Sequence, residues 1–255
     1  MRFVDLSMPL DDVIPVDPPF LRPKIEYKDH QGGLKDMYNM YGILPEQLPD
    51  GQGLAAETVT ITTHAGTHVD APWHYHPTMN GGEKAWTIDE VPLDWFFRPG
   101  VKLDLRHLPS GTLVQPADID AALDAIEYTL KPFDIVLFHT VAAAAYGRDD
   151  YVDTGIGFGR AATLHLTNQG IRVVGTDAWG WDLPIPVNRA NFEATGDPSI
   201  VWEGHKAGAD VAYCQIEKLQ HLEHLPSHGF TVACFPAKVR GASAGWTRAV
   251  AIFED

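Results

Sequence analysis

The chain has 255 residues, 45% of them hydrophobic, and a formal net charge of −15 at pH 7. This length and composition predict a folded protein with a substantial core and argue against a disordered chain. Strong acidity disfavours nucleic acids and anionic membranes as partners, because both bind to basic surfaces. No apolar run reaches the ~18 residues of a membrane span, and the N-terminus lacks the apolar core of a signal peptide. We therefore expect a cytoplasmic protein.

The predicted elements begin with a region of unusual composition. Residues 15–55 are rich in proline, glycine and polar residues, and we interpret them as a long ordered loop region that could include one helical turn. Runs of β-branched and apolar residues follow. They predict strands at 57–64, 100–106, 134–140, 171–177, 210–217, 230–239 and 246–253.

Two helices are expected between these strands. The segment 116–130 begins with Pro116, a residue favoured in the first turn, and carries apolar residues at helical spacing. The segment 157–169 is followed by Gly170, a typical helix C-cap. Each helix leads into a strand, whereas strands dominate the rest of the chain. We expect one α/β domain spanning residues 1–255, with a largely β core.

The two cysteines do not indicate a metal site. Cys214 and Cys234 lie in apolar runs and form no CxxC pair. We predict that both are buried free thiols.

The stretch ITTHAGTHVDAPWHY (61–75), by contrast, indicates a metal site. His64, His68 and Asp70 are ligand types suited to zinc, manganese or iron(II). In an unbroken strand, His64 and Asp70 would lie ~20 Å apart, too far for a single ion. β-branched residues before the cluster and Pro72 after it oppose a helix. We therefore predict a strand end that bends at Gly66, so that the three side chains surround one ion.

His74 follows the cluster and allows two interpretations. It could be a fourth ligand, or it could be the base that takes a proton from an attacking water. A catalytic metal keeps one coordination position open for water, and three ligands are already present, so we favour the base. We interpret His76 and the histidines of HLEHLPSH (221–228) as structural or solvent-exposed.

The segment HAGTHVDAPWH (64–74) matches the signature His-x-Gly-Thr-His-x-Asp-x-Pro-x-His, so the chain resembles the cyclase family of metal-dependent hydrolases. That family includes bacterial kynurenine formamidase, isatin hydrolase and certain lactamases. The resemblance implies the family's swivelling β/β/α fold and assembly as a homodimer or larger homo-oligomer. It also implies roles for individual residues: His64, His68 and Asp70 as ligands of a first metal, His74 as the catalytic histidine, and His205 with Glu217 as the pair that completes a second metal site.

The number of metals is left open by the resemblance. The spacing of His205 and Glu217 matches the second-metal pair of the two-zinc formamidases. The length of the N-terminal region and the tryptophan-rich segments are more similar to the isatin hydrolase branch, whose members can use a single manganese. In that case His205 and Glu217 would line the pocket or lie behind the metal ligands. Zinc and manganese cannot be distinguished, because His and Asp bind both.

We expect hydrolysis of an amide-type C–N bond in a small aromatic or cyclic amide, such as an aryl formamide or a lactam. A metal would activate water and polarise the carbonyl group, and His74 would transfer the proton. Two further sets of residues are interpreted either as parts of the site or as structural: Trp73, Trp179 and Trp181 as pocket walls or core, and Asp177 and Asp182 as orienting groups or turn residues.

Two alternatives remain. The same metal could serve a lyase, a true cyclase or a lactone hydrolase as a Lewis acid. A non-enzymatic metal-binding protein is less favoured, because structural zinc sites are usually closed and rich in cysteine.

Overall fold

A computed structural model describes residues 1–254 of the chain. Six α-helices occur in these residues: α1 Leu34–Tyr41, α2 Pro72–Tyr75, α3 Pro116–Ala125, α4 Arg160–Thr167, α5 Ile185–Thr195 and α6 Glu203–Lys206. The described strands are β1 Arg2–Asp5, β2 Lys24–Lys28, β3 Ala56–Thr60, β4 His68–Asp70, β5 Thr78–Met79, β6 Glu83–Lys84, β7 Phe97–Asp104, β8 Leu113–Val114, β9 Ile135–His139, β10 Gly157–Phe158, β11 Val173–Thr176, β12 Cys214–Glu217, β13 Phe230–Ala233, β14 Ala244–Trp246 and β15 Val250–Phe253.

Nine of these strands form one mixed sheet, in the order β1-β15-β13-β7-β9-β11-β12-β4-β14. The four strands β7, β9, β11 and β12 are parallel to one another, and the other pairings within this sheet are antiparallel. The architecture confirms the predicted mixed α/β class with a largely β core.

Both faces of the sheet are buried, as the residues of β9 illustrate. Ile135 and Leu137 pack into one hydrophobic cluster, whereas Val136 and Phe138 pack into a second. Side chains alternate between the faces of a strand, so an uninterrupted apolar run fits a strand that is covered on both sides. Cys214 is buried in the first cluster, and Cys234 is also a buried free thiol, as predicted.

The predicted elements are recovered with shifted and mostly shorter bounds. Each of the seven predicted strands overlaps an observed one, and the last divides into β14 and β15. The helix expected over 116–130 ends at Ala125, because Ile126 leaves helical geometry and Glu127 adopts a φ of 52°. No helix in residues 1–254 is long and apolar enough to cross a membrane.

Residues 15–55 hold more regular structure than the expected ordered loop region with one helical turn. Strand β2 pairs antiparallel with β3, and the helix α1 has eight residues and is capped by Gly42, whose φ is 67°. Leu34, Met37, Tyr38 and Tyr41 recur at helical spacing, so α1 had a sequence signal that was missed. None of its side chains is fully buried. α5 was also missed, because Pro184 and Pro186 at its start read as loop.

Asp177 follows β11 and ties it to the end of β9. Its carboxyl group accepts hydrogen bonds from the Thr140 amide (2.8 Å) and the Thr140 hydroxyl (2.6 Å). Burial raises the pKa of Asp177 to about 7, although these hydrogen bonds oppose the rise. Asp177 is therefore a structural residue of the strand ends.

We predict that Asp177→Asn removes a pH-dependent loss of stability. Folded Asp177 stays protonated up to about pH 7, whereas in the unfolded chain it ionises near pH 3.9. Between these two pH values, the free energy of unfolding of the wild type therefore falls by up to roughly 1.4 kcal/mol per pH unit. Above about pH 7 this loss is complete. Urea unfolding between about pH 5 and 8 should show a free-energy difference, variant minus wild type, that grows with pH and then levels off. Parallel curves would contradict the raised pKa.

Candidate metal centre

The pairing of β4 with β12 brings the candidate ligands together. In this antiparallel register His68 lies opposite Glu217, and Asp70 lies opposite Gln215. Opposite residues project to the same face, with Cβ atoms about 4.5–5.5 Å apart. Val69 projects to the other face and packs into the core. This pairing therefore places Gln215 and Glu217 beside His68 and Asp70, although the two pairs are far apart in sequence.

His64 reaches the same place from a loop. The preceding strand ends at Thr60, earlier than predicted, and His68 begins the new strand β4. The bend predicted at Gly66 is present, with a φ of 62° that glycine adopts without strain. The buried Lys218 holds this loop, because its ammonium group donates to the His64 carbonyl oxygen (2.7 Å) and to the carboxylate of Asp17.

Ligand atoms of these side chains converge on one point. Asp70 Oδ1 lies 2.8 Å from His64 Nδ1 and 3.2 Å from His68 Nε2, and His68 Nε2 lies 3.5 Å from Glu217 Oε2. His68 Nδ1 lies 2.9 Å from the Gly66 carbonyl oxygen, which can only accept, so Nδ1 carries the hydrogen and Nε2 presents a lone pair. Carbonyl partners of this kind fix the tautomer of metal-binding histidines.

Two of the converging atoms fit a bound cation. In residues 1–254, His68 Nε2 and Asp70 Oδ1 are buried and have no hydrogen-bond partner. Burying such atoms unsatisfied costs about 1–3 kcal/mol each, and a divalent cation would satisfy both. Two triplets, His64–Asp70–His74 and His68–Asp70–Glu217, have ligand atoms within 4.8 Å of one another. Imidazole and carboxylate donors suit zinc or manganese.

His74 lies on the short helix α2, on the other side of Asp70. Its Nε2 is 3.9 Å from Asp70 Oδ2, and its ring centroid is 4.1 Å from that of His64. Burial lowers the pKa of His74 to about 4, and the neighbouring histidines reinforce this effect over the opposing charge of Asp70. His74 is therefore neutral near pH 7 and able to accept a proton.

His205 is brought in by α6 and oriented by Asp182. Its Nδ1 lies 2.5 Å from Asp182 Oδ2, and Asp182 also accepts from the backbone amides of Gly204 and His205. Its Nε2 lies 2.6 Å from Gln215 Nε2 and 3.8 Å from Glu217 Oε1. Of the two aspartates predicted as orienting groups or turn residues, Asp182 is placed to orient a site histidine.

A cavity of about 930 Å³ opens from these groups, and its wall is largely apolar and aromatic. Trp179 and Trp181 are among the residues that line it, but the Trp181 side chain is also fully buried in the core, where it stacks on Phe158. Trp73 is 41% exposed and lies outside the lining. Trp202, which the sequence did not suggest, stacks on His205 with ring centroids 4.5 Å apart.

Gln215 is the other residue that sequence reasoning missed. It is fully buried in β12, beside Asp70, His205 and Glu217. One signal was available: Gln215 precedes Glu217 by two positions in a predicted strand, so the two side chains share a face.

The fold and the convergent ligands define a mixed α/β protein with a candidate metal centre at one end of an apolar cavity. The chain belongs to the Cyclase family (“Putative cyclase”), whose model matches residues 4–183.

Curated relatives and solved structures agree with this family. A kynurenine formamidase of Salinibacter ruber (strain DSM 13855 / M31) is 29% identical over 195 residues, which cover 76% of this chain and 77% of the relative. A kynurenine formamidase of Erythrobacter litoralis (strain HTCC2594) is 22% identical over 204 residues, or 80% of each chain.

An isatin hydrolase bound to the product analogue thioisatinate has a TM-score of 0.76 at 18% identity, covering 100% of this chain and 93% of that one. Isatin hydrolase A from Labrenzia aggregata, bound to benzyl benzoate, has a TM-score of 0.74 at 21% identity, with 100% and 94% covered. These structures share the fold.

The geometry predicts how metal content responds to substitution. Asp70→Ala removes the carboxylate that faces both His64 and His68, so the purified variant should lose its divalent ion. His74→Ala should keep the ion, because His74 faces the opposite oxygen of Asp70 at 3.9 Å. Elemental analysis after dialysis measures both, with the exposed His76→Ala as a matched control. A loss from His74→Ala as large as that from Asp70→Ala would make His74 a ligand.

Proposed function

We propose that this protein is a metal-dependent hydrolase that cleaves the amide-type C–N bond of an aromatic or cyclic amide, such as an aryl formamide or a lactam. The observation that carries the proposal is the convergence of His64, His68, Asp70 and Glu217 at one end of an apolar cavity. The similarity to kynurenine formamidases over three quarters of the chain supports this reaction class.

A divalent ion held by His64, His68 and Asp70 would supply a Lewis acid that polarises a carbonyl oxygen and acidifies water. The chain itself supplies the rigidity of that site. His68 is fixed by the Gly66 carbonyl group, and His64 Nε2 hydrogen-bonds the Ser243 hydroxyl (3.0 Å). Ligands held in this way need little reorganisation during the reaction.

His74 is the proposed general base. It lines the cavity, is neutral near pH 7, and lies beside the ring of His64. A neutral imidazole here takes a proton from the attacking water and returns it to the leaving nitrogen, which an amide needs because its nitrogen is a poor leaving group. Trp202, in contact with His74 at 5.1 Å between ring centroids, shields it from solvent on one side.

The cavity indicates the rest of the substrate. Its aromatic and aliphatic wall suits a flat apolar group, and about 930 Å³ leaves room for a substituent beyond a single ring system. Lys218 and Arg189 bring positive charge to the wall. The Lys218 side chain is paired with Asp17, whereas the exposed side chain of Arg189 has no ion pair or hydrogen bond within residues 1–254. We infer that Arg189 binds an anionic substituent of the substrate, remote from the scissile bond.

A substrate screen tests the reaction class. The purified protein should hydrolyse at least one of a set of aryl formamides and isatin-like lactams, with one water added to the product, whereas hydrolysis of lactones alone would indicate a lactone hydrolase. Chelation should abolish turnover, and zinc or manganese should restore it. His74→Ala should reduce the rate by roughly 10²–10⁴-fold while its metal content is unchanged. Elimination or ring closure without uptake of water would indicate a lyase or cyclase, and full activity in metal-free protein would falsify the proposal.

Arg189→Gln tests the substrate's anionic group. Charge-assisted hydrogen bonds contribute about 1.5–3 kcal/mol, so KM for a carboxylate-bearing amide should rise about tenfold or more, with kcat little changed. An uncharged analogue of the same size is the control, and its KM should stay the same. Equal effects on both substrates would show that Arg189 acts through the shape of the cavity instead.

A further inference from the structure

Gln215 lies where a second metal ion would have to bind. Its side-chain Nε2 is 2.6 Å from His205 Nε2, 3.2 Å from Asp70 Oδ2 and 3.2 Å from Glu217 Oε1. These three atoms lie near the Oδ2 side of Asp70, which faces away from His64 and His68, and Glu217 Oε1 also accepts from the Trp181 backbone amide. One buried amide nitrogen therefore contacts all three of the atoms with which His205, Asp70 and Glu217 would hold a second ion.

The orientation of this amide is set by its partners. Asp70 Oδ2 and Glu217 Oε1 are carboxyl oxygens, which favour an N–H donor over an amide oxygen. In the neutral imidazole, His205 Nδ1 donates to the Asp182 carboxylate, so Nε2 carries a lone pair and accepts from Gln215. A flipped amide would place its oxygen against these three acceptors, which is electrostatically unfavourable. The three partners therefore favour the NH₂ group in this position. The Tyr213 hydroxyl has one proton, which goes to the Gly204 carbonyl oxygen at 2.8 Å, so its 3.2 Å approach to Gln215 Oε1 does not decide the orientation.

An ion and this NH₂ group cannot occupy the position together. Zinc lies about 2.0–2.2 Å from nitrogen and oxygen ligands, which puts neighbouring ligands of a tetrahedral ion about 3.4 Å apart. His205 Nε2 lies 3.9 Å from Asp70 Oδ2 and 3.8 Å from Glu217 Oε1, only slightly wider than that. The three acceptors could therefore hold an ion after a small shift, and the Gln215 amide is the group in the way.

Charge favours the amide over a second ion. Asp70 and Glu217 lie between the two positions, and one divalent ion balances both carboxylates. A second divalent ion would leave an excess of buried positive charge, even with Asp182 counted as negative. Uncompensated buried charge is strongly unfavourable, whereas a neutral NH₂ group shares its two hydrogens among the three acceptors without adding charge.

We propose that the Gln215 side-chain amide occupies the second cation position, so that the centre holds one divalent ion, on the His64/His68 side of Asp70. His205 then serves as a hydrogen-bond acceptor that fixes Gln215 and lines the cavity, and it is not a metal ligand. The inference rests on the proposed function only in taking the His64/His68 position to hold the catalytic ion.

Metal stoichiometry tests this directly. Wild-type protein, saturated with zinc and then dialysed free of excess, should hold close to one zinc per chain by elemental analysis. Gln215→Ala removes the amide and should approach two. Gln215→Glu keeps the length of the side chain, replaces its N–H donors with a carboxylate, and should also approach two. Gln169→Ala, an exposed glutamine on another element, is the matched control and should stay at one.

The contrary outcomes are distinct. Two zinc ions per wild-type chain would overturn the proposal, and so would a Gln215→Ala content that remains at one. A content below one in Gln215→Ala would show that the flipped amide oxygen is a metal ligand. Circular dichroism measures whether each variant is folded. If Gln215→Ala is unfolded, the zinc content of Gln215→Glu still tests the proposal. Activity is a separate readout, because a wild type with one ion and no amide hydrolysis would refute the proposed function alone.

Discussion

The register between β4 and β12 is the constraint on which the site depends. It places Glu217 opposite His68 and Gln215 opposite Asp70, in a sheet whose two faces are both buried. Because side chains alternate, a slip by one residue would turn the whole ligand set into the opposite core. Val69 and Ile216, fully buried on that opposite face, oppose such a slip. The apolar residues between the ligands thus fix the site as firmly as the ligands do.

Packing carboxylates and histidines so closely has an electrostatic consequence. Burial, reinforced by the charge of Asp70, raises the pKa of Glu217. Although burial opposes it, the surrounding histidines hold the pKa of Asp70 well below its usual range. The two neighbouring carboxyl groups are therefore unequal, and Asp70 is the stronger acid. It is also the one that faces His64 and His68, where a cation would be held.

Sequence patterns predicted the parts of the structure that follow local rules. The strands 100–106 and 134–140 were visible as runs of β-branched and apolar residues, and the helix at 116 was visible because its apolar residues recur at helical spacing. The bend at Gly66 followed from ligand spacing and the backbone freedom of glycine. By contrast, α1 and β2 are short and mostly exposed, and the prolines and glycines around them led to an interpretation as loop.

The site residues that were missed depend on long-range pairing. Nothing local to Gln215 indicates that Asp70, 145 positions away, will accept its hydrogen bond. Trp202 has a φ of 60°, a backbone conformation that no sequence rule predicts for tryptophan, and this places its ring on His205. The same limit applies to Lys218, a buried cation whose partner Asp17 lies in the region taken for a loop.

The structure separates the chemistry from the recognition of substrate. The candidate ligands and Gln215 come mainly from adjacent strands of the sheet, whose positions are fixed by ladder hydrogen bonds and two cores. The cavity wall comes largely from α5, from the segment that carries Trp202 and from the loop after β11. Such connecting segments tolerate substitution better than the sheet does. Substitutions in α5, including those at Arg189, can therefore alter which amide is bound while the ligand geometry stays the same.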